Sequence, residues 1–248
     1  MNGGRASEGI RNTAVFCTTK WTEVLQAATP DSAAGRQAFG QLYSDYWFPL
    51  YAFIRRRGSS PPEAEDVTQN FFARLLEKQA LAGLERDGGK FRSFLLRSLE
   101  NFLANEWHHR RAQKRGGHFQ FVSIDAPNGE ARYALEPPDE ATPETLFERQ
   151  WAFTLLTQVM ERLAAECEIA GRGNLFRDLR PHLQGDHSAA TYAILADRHQ
   201  TTEGAIKITV HRLRQRYGEI LREEVARTVN SSAEIDDELR YLIAVVGK

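Results

Sequence analysis

Between Tyr192 and Tyr217 the chain reads YAILADRHQTTEGAIKITVHRLRQRY. Its second half carries Lys207, Ile208, His211, Arg212, Arg214 and Gln215 within nine positions. Long cations and an amide suit the base edges of a DNA major groove, and an isoleucine suits a thymine methyl. Spacing decides which of these residues share a face. Ile206, Val210, Leu213, Tyr217 and Leu221 recur at +4, +7, +11 and +15, one apolar stripe of a helix. At about 100° per residue, Gly204, Lys207, Ile208, His211, Arg212 and Gln215 turn away from it. A short helix and a tight turn precede, so the whole is a helix-turn-helix pattern with an outward recognition face. The plainer alternative is that Arg212, Arg214 and Arg216 only solvate a helix. Arg216 lies further from the outer-face centre and is expected on phosphate.

A second constellation occupies KFRSFLLRSLENFLANEWHHRRAQKR, Lys90 to Arg115. Phe94, Trp107, Asn101, Asn105, Arg97, Arg110 and Arg111 are types that stack on bases, bond their edges and hold phosphates. Stacking one base is worth roughly 1 to 3 kcal/mol. That is comparable with the few kcal/mol needed to unstack it, so such a surface can hold a base out of a duplex. Phe94 and Phe102 equally suit a core, and Phe102 is assigned there. A third group, Glu63, Glu65, Asp66 and Gln69, sits in EAEDVTQNFFARLL. Carboxylates there complement a helix dipole, at roughly 0.3 to 1 kcal/mol each, or form an acidic docking edge.

The elements that must position these groups are helices. Trp21 to Ala28 is a short helix, and Arg36 to Arg57 a longer one that Pro49 is expected to kink or split. Ser60 caps the next, with Pro61 first and Glu63 third, a capping box. Phe91 to about Arg111 follows, with Phe94, Leu95, Leu99, Phe102 and Leu103 as its stripe. Thr142 caps a helix running to about Glu168. A short helix ending before Pro181, then Ser188 to His199 and Thr202 to about Arg227, complete the second half. A last short helix spans Leu239 to Val246, and only Phe119 to Ile124 alternates like a strand.

Charge separates the two halves. Residues 86–117 carry eight cations against three carboxylates, a balance of +5. Residues 118–150 carry two cations against seven carboxylates, a balance of −5, with four prolines. The second stretch reads as an acidic, semi-extended linker that competes with DNA for the basic segment. The expected class is all-α: two small helical domains joined by that linker. The divisions are a disordered tail 1–19, a first domain 20–118, the linker 119–141, a helix-turn-helix domain 142–229 and a tail 230–248.

Composition excludes more than it selects. The 248 residues include 42% hydrophobic and 26% charged, with 32 Lys plus Arg against 33 Asp plus Glu. That is ordinary globular usage. No apolar run reaches the roughly 18 residues of a membrane helix. There is no secretory h-region, and Cys17 and Cys167 lie far apart, so a cytoplasmic protein with free thiols and no membrane contact is expected. Neither HExxH, GxSxG, a Walker loop nor GxGxxG occurs, and His108-His109 point about 100° apart on a helix. No enzyme, cofactor or metal is expected.

With these segments in order, the chain resembles bacterial RNA polymerase sigma factors of the extracytoplasmic-function type. LYSDYWFPLYAFIRRRG, EAEDVTQNFFARLLE and FRSFLLRSLENFLANE with RRAQKRGG resemble the family's second conserved region. YAILADRHQTTEGAIKITVHRLRQRYGEIL resembles its fourth, and FCTTKWTEVLQAA the N-terminus of a long-chain subgroup. The resemblance implies an initiation factor that docks on core RNA polymerase and reads promoter DNA. By it, Glu63, Glu65, Asp66 and Gln69 meet the polymerase clamp helices. Lys90, Arg92, Phe94, Arg97, Asn101, Asn105, Arg110, Arg111, Lys114 and Arg115 melt and read the minus-ten element. Lys207, Ile208, His211, Arg212 and Arg214 read the minus-thirty-five element. Such factors are often held by an anti-sigma protein, a further partner. The sequence departs from the family at Gln200, where a turn glycine is usual, and at His199, where leucine is usual. Asn105 replaces a usual aspartate, and Ile208 is less polar than is typical. The alternative is a stand-alone helix-turn-helix regulator acting as a dimer, for which no zipper is found.

Overall fold

The computed structural model describes residues 21–29, 31–82, 84, 90–112, 129–135, 141–186, 190–229 and 231–247. Every regular element among them is a helix, which agrees with the all-α expectation. The expected tail 1–19 and the strand-like 119–124 lie outside the described residues.

Helices α1 (Trp21–Ala27) and α2 (Ala33–Arg56) come first. The Ser32 hydroxyl caps α2 by accepting the Gly35 N–H at 2.9 Å. Residues 47–54 are all buried, so α2 is enclosed around its circumference there. Helices α1, α3 (Pro61–Glu77) and α6 (Pro143–Ile169) pack along α2. Pro49 does not split α2, which runs on as one element. The missing N–H removes one bond of the ladder, while the packing on several sides of α2 is kept. Helix α3 buries Ala64, Val67, Phe71, Phe72 and Leu75, the stripe its spacing predicts. Helix α4 (Phe91–Ala112) buries Phe91, Leu95, Leu99 and Phe102, and Phe94 is only half-buried.

The expected semi-extended linker contains a short helix, α5 (Gly129–Tyr133), docked on α2. Glu130 accepts from Arg55 Nε at 2.9 Å, Arg55 Nη2 at 2.8 Å and the Tyr51 hydroxyl at 2.7 Å. The Arg55 and Tyr51 hydrogen bonds hold its carboxyl down to about 2. The Arg132 guanidinium lies 3.7 Å over the Phe48 ring. A Cβ on Gly129 would stand 2.8 Å from the Trp47 ring, so the close approach requires glycine.

The remaining helices are α7 (Gly173–Leu183), α8 (Tyr192–Arg198), α9 (Glu203–Ala226) and α10 (Ile235–Val246). Three boundaries differ from expectation. Pro181 lies inside α7, in its last turn. Helix α8 starts behind Thr191, whose hydroxyl faces the Ile194 N–H. Helix α10 starts four residues before Leu239.

Helix α6 joins the two halves. It packs on α2, α7, α9 and α10, and one apolar core runs through residues of both halves. Its polar contact with α2 is Gln158, whose Nε2 donates to Asp45 Oδ1 at 2.6 Å; Gln41 donates to the same oxygen at 2.8 Å. Asp45 is 4% exposed, and burial raises its carboxyl to about 7 despite these bonds. On the other side Arg162 donates to Glu224 at 2.6 Å and also pairs with Glu223 on α9.

Candidate nucleic-acid interface

The helix-turn-helix is built from local signals. Helix α8 buries Leu195 and Ala196, and α9 buries Ile206, Val210 and Leu213. Between them Gln200 adopts φ +51°, the left-handed conformation that a turn glycine takes without strain. Thr202 then caps α9, its hydroxyl accepting the Ala205 N–H at 3.2 Å. Three residues outside the sequence-based set of site residues fasten this turn. Asp178 on α7 accepts from Arg198 Nη1 at 2.9 Å, and His199 Nε2 lies 2.8 Å from its other oxygen. Partial burial pushes the Asp178 carboxyl up, but the His199 and Arg198 bonds outweigh it and hold it below the ordinary aspartate range. His199 therefore holds the turn through a polar contact with Asp178.

The outer face of α9 is free in the way its periodicity requires. Lys207 is 60% exposed in its side chain and Ile208 is 55% exposed. His211 and Arg212 are exposed beside them. Lys207 lies 3.9 Å from Glu203, a loose contact one turn away. Arg214 is exposed but donates from Nη2 to the His182 carbonyl at 2.9 Å. Arg216, expected on phosphate, is engaged elsewhere. It donates to Glu166 on α6 from Nε at 2.8 Å and Nη2 at 2.9 Å, and pairs with Glu219 and Glu223. Those carboxylates raise its pKa, although its side chain is still 35% exposed.

On α3, Glu63 accepts the Ser60 N–H at 3.0 Å and the Ser60 hydroxyl at 2.8 Å. It serves the helix cap. Glu65 and Asp66 are exposed beside it, and Gln69 is half-buried.

On α4, Arg97, Asn101 and Asn105 follow at intervals of four, and all are exposed. Asn101 and Asn105 line a cavity of about 200 Å³ between α3 and α4, with Ser98, Arg74, Lys78 and the Phe71 and Phe102 rings. The two rings are buried, at 2% and 6% exposure, so the accessible part of the cavity is polar, from the amides, Ser98, Arg74 and Lys78. Phe102 is itself core, 5.7 Å from Phe71 in an edge-to-face pair, as assigned. Phe94 stacks on Phe91 at 5.9 Å. Arg110 and Arg111 lie in the last turn of α4; their side chains, and Lys114 and Arg115, lie outside the described residues.

Two of the expected DNA contacts at the head of α4 are placed differently. Arg92 is 3% exposed. It pairs with Glu148 on α6 and Glu238 on α10, each at 2.7 Å, and lies 4.1 Å over the Trp151 ring. Burial lowers its pKa, but the two carboxylates raise it further. Lys90, half-buried, also pairs with Glu238. No sequence signal near Arg92 points to either carboxylate.

Among the described residues no group of three or more His, Cys, Asp or Glu side chains is placed to hold a metal ion. No helix among them is long and apolar enough to cross a membrane. Cys167 is buried, which pushes its thiol up. Compared with protein-family models, curated proteins and solved structures, the chain matches none.

Proposed function

We propose that this protein is a transcription initiation factor. It docks on core RNA polymerase, helps to melt promoter DNA with α4, and reads an upstream element with α9. The observation that carries the reading is the outer face of α9. Lys207, Ile208, His211 and Arg212 stand exposed on a capped helix whose opposite stripe is buried against α8 and the rest of the core. That is the geometry of a recognition helix. The amide-lined cavity beside α4 and the exposed Glu65–Asp66 edge of α3 support the other two roles. The resemblance to extracytoplasmic-function sigma factors orders all three segments as that family does. Promoter recognition and melting need positioned contacts only, so no catalytic group, metal or cofactor is called for.

The test is co-purification with core polymerase, followed by mapping of transcription starts with and without the protein. The reading requires stoichiometric binding and new start sites. Tight footprinting of one half-site by the protein alone, with no polymerase binding, would instead identify a stand-alone regulator.

A further inference from the structure

Glu238 stands where its helix should be apolar. Helix α10 turns Glu238, Leu242 and Val245 inward, one stripe at +4 and +7. The other two are the apolar anchors of the helix, and the carboxylate between them and α4 is fully buried in its side chain. Burying a carboxylate is costly unless good pairing offsets the lost hydration, and a well-packed apolar residue often serves stability as well or better. Its compensation comes from Lys90 and Arg92, at the head of α4. Glu148 from α6 completes a neutral group of two cations and two carboxylates. Tyr241 adds its ring, 5.3 Å from Lys90 and 5.5 Å from Arg92. What α10 offers these cations, anionic oxygen beside an aromatic face, is what a nucleic-acid strand offers.

We infer that α10 is an intramolecular latch: Glu238 occupies the cations at the head of α4 in place of a DNA phosphate and keeps that part of the surface closed until a strand displaces it. The inference rests on the initiation-factor reading. Helix α10 has 12 residues, too few to persist alone in water, so losing its seat also loosens the helix.

The test uses the full chain and a labelled, mixed-sequence single strand of about 30 nucleotides. Glu238→Gln keeps the volume and removes the charge. The variant is expected to bind about tenfold more tightly at about 0.1 M salt. Glu148 still pairs with Arg92, so the variant has one uncompensated cation, which should steepen the logarithmic salt slope by about 0.7, the contribution of one phosphate neutralised on a single strand. A second measurement needs no variant. Competition is reciprocal, so saturating the wild-type protein with the strand should speed amide exchange across 235–246 while the middle of α9 stays protected. Equal affinity and slope in Glu238→Gln, or unchanged α10 exchange in the saturated wild type, overturns the latch. A polymerase titration separates the two readings. Core binding without either effect keeps the initiation factor and removes the latch. Both effects without core binding remove the initiation factor and leave α10 as a gate on single-stranded DNA.

Discussion

The outer face of α9 and the head of α4 carry the same residue types in opposite circumstances. On α9, Lys207 and Arg212 project from the face opposite the buried stripe, and among the described residues the ion pair there is a loose one between Lys207 and Glu203. On α4, Lys90 and Arg92 are drawn into a group with Glu148 and Glu238, and Arg92 is sealed under Trp151. A cation on a helix is thus neither a contact nor a structural group by type. What decides is whether another segment brings a carboxylate to it and excludes water. Arg216 makes the same point within α9: four residues beyond Arg212, it has turned toward α6 and Glu166.

The comparison breaks most visibly in stability. Arg92→Ala leaves Glu238 and Glu148 short of a counter-charge in a buried place, and should cost about 3 to 5 kcal/mol. Arg212→Ala should stay within about 0.5 kcal/mol, as exposed substitutions do. Urea unfolding of both variants measures the difference, and equal costs would refute the contrast.

Asp45 sharpens it from the other side, since it is buried beside the Gln41 and Gln158 amides and the Glu23 carboxylate, with no ion pair to a cation among the described residues. Its folded-state pKa of about 7 stands above the ordinary 3.8. The protonated form is therefore the one the fold prefers, and its contribution is complete below about pH 4 and lost as pH rises to about 7. The loss should be on the order of 1 kcal/mol per pH unit across that window. Asp45→Asn should remove most of this slope. Stability measured from pH 4 to 8 checks it, and a slope identical in the two proteins would show that another group carries the dependence.

Under the proposed function the order of importance should reverse on DNA. Arg212→Ala should cost about 1 to 3 kcal/mol of promoter affinity and relax preference at one upstream base pair. A promoter library transcribed with the variant measures this, and a uniform loss over all sequences would mean that Arg212 touches phosphate only. The smallest effect belongs to Arg216→Ala. Its ion pairs are about one-third exposed, so less than about 1 kcal/mol of stability should go. The preferred sequence and the salt dependence of binding should both stay as they were. A changed salt slope would place Arg216 back on the nucleic acid.

Much of this architecture was legible locally. Ser60 with Pro61 and Glu63, Thr142 with Pro143, and Thr202 each start a helix where they stand, because a cap acts on backbone N–H groups two or three residues away. The buried stripe of α9 and its exposed opposite face follow from 3.6 residues per turn, and so Lys207, Ile208, His211 and Arg212 could be singled out from order alone. Tertiary structure decided the rest. Helix α5 was hidden in an acidic, proline-containing stretch because five residues carry little periodicity; Glu130 is seated by Arg55 and Tyr51, more than seventy positions away. Arg92 and Arg216 read as solvent-facing cations because their partners Glu148, Glu238 and Glu166 lie 50 to about 150 residues off, and no local pattern encodes such a meeting. Helical periodicity says which side of a helix faces inward. Whether a charge on its flank meets water or a buried carboxylate depends on which other segments pack there, and only the folded chain determines that.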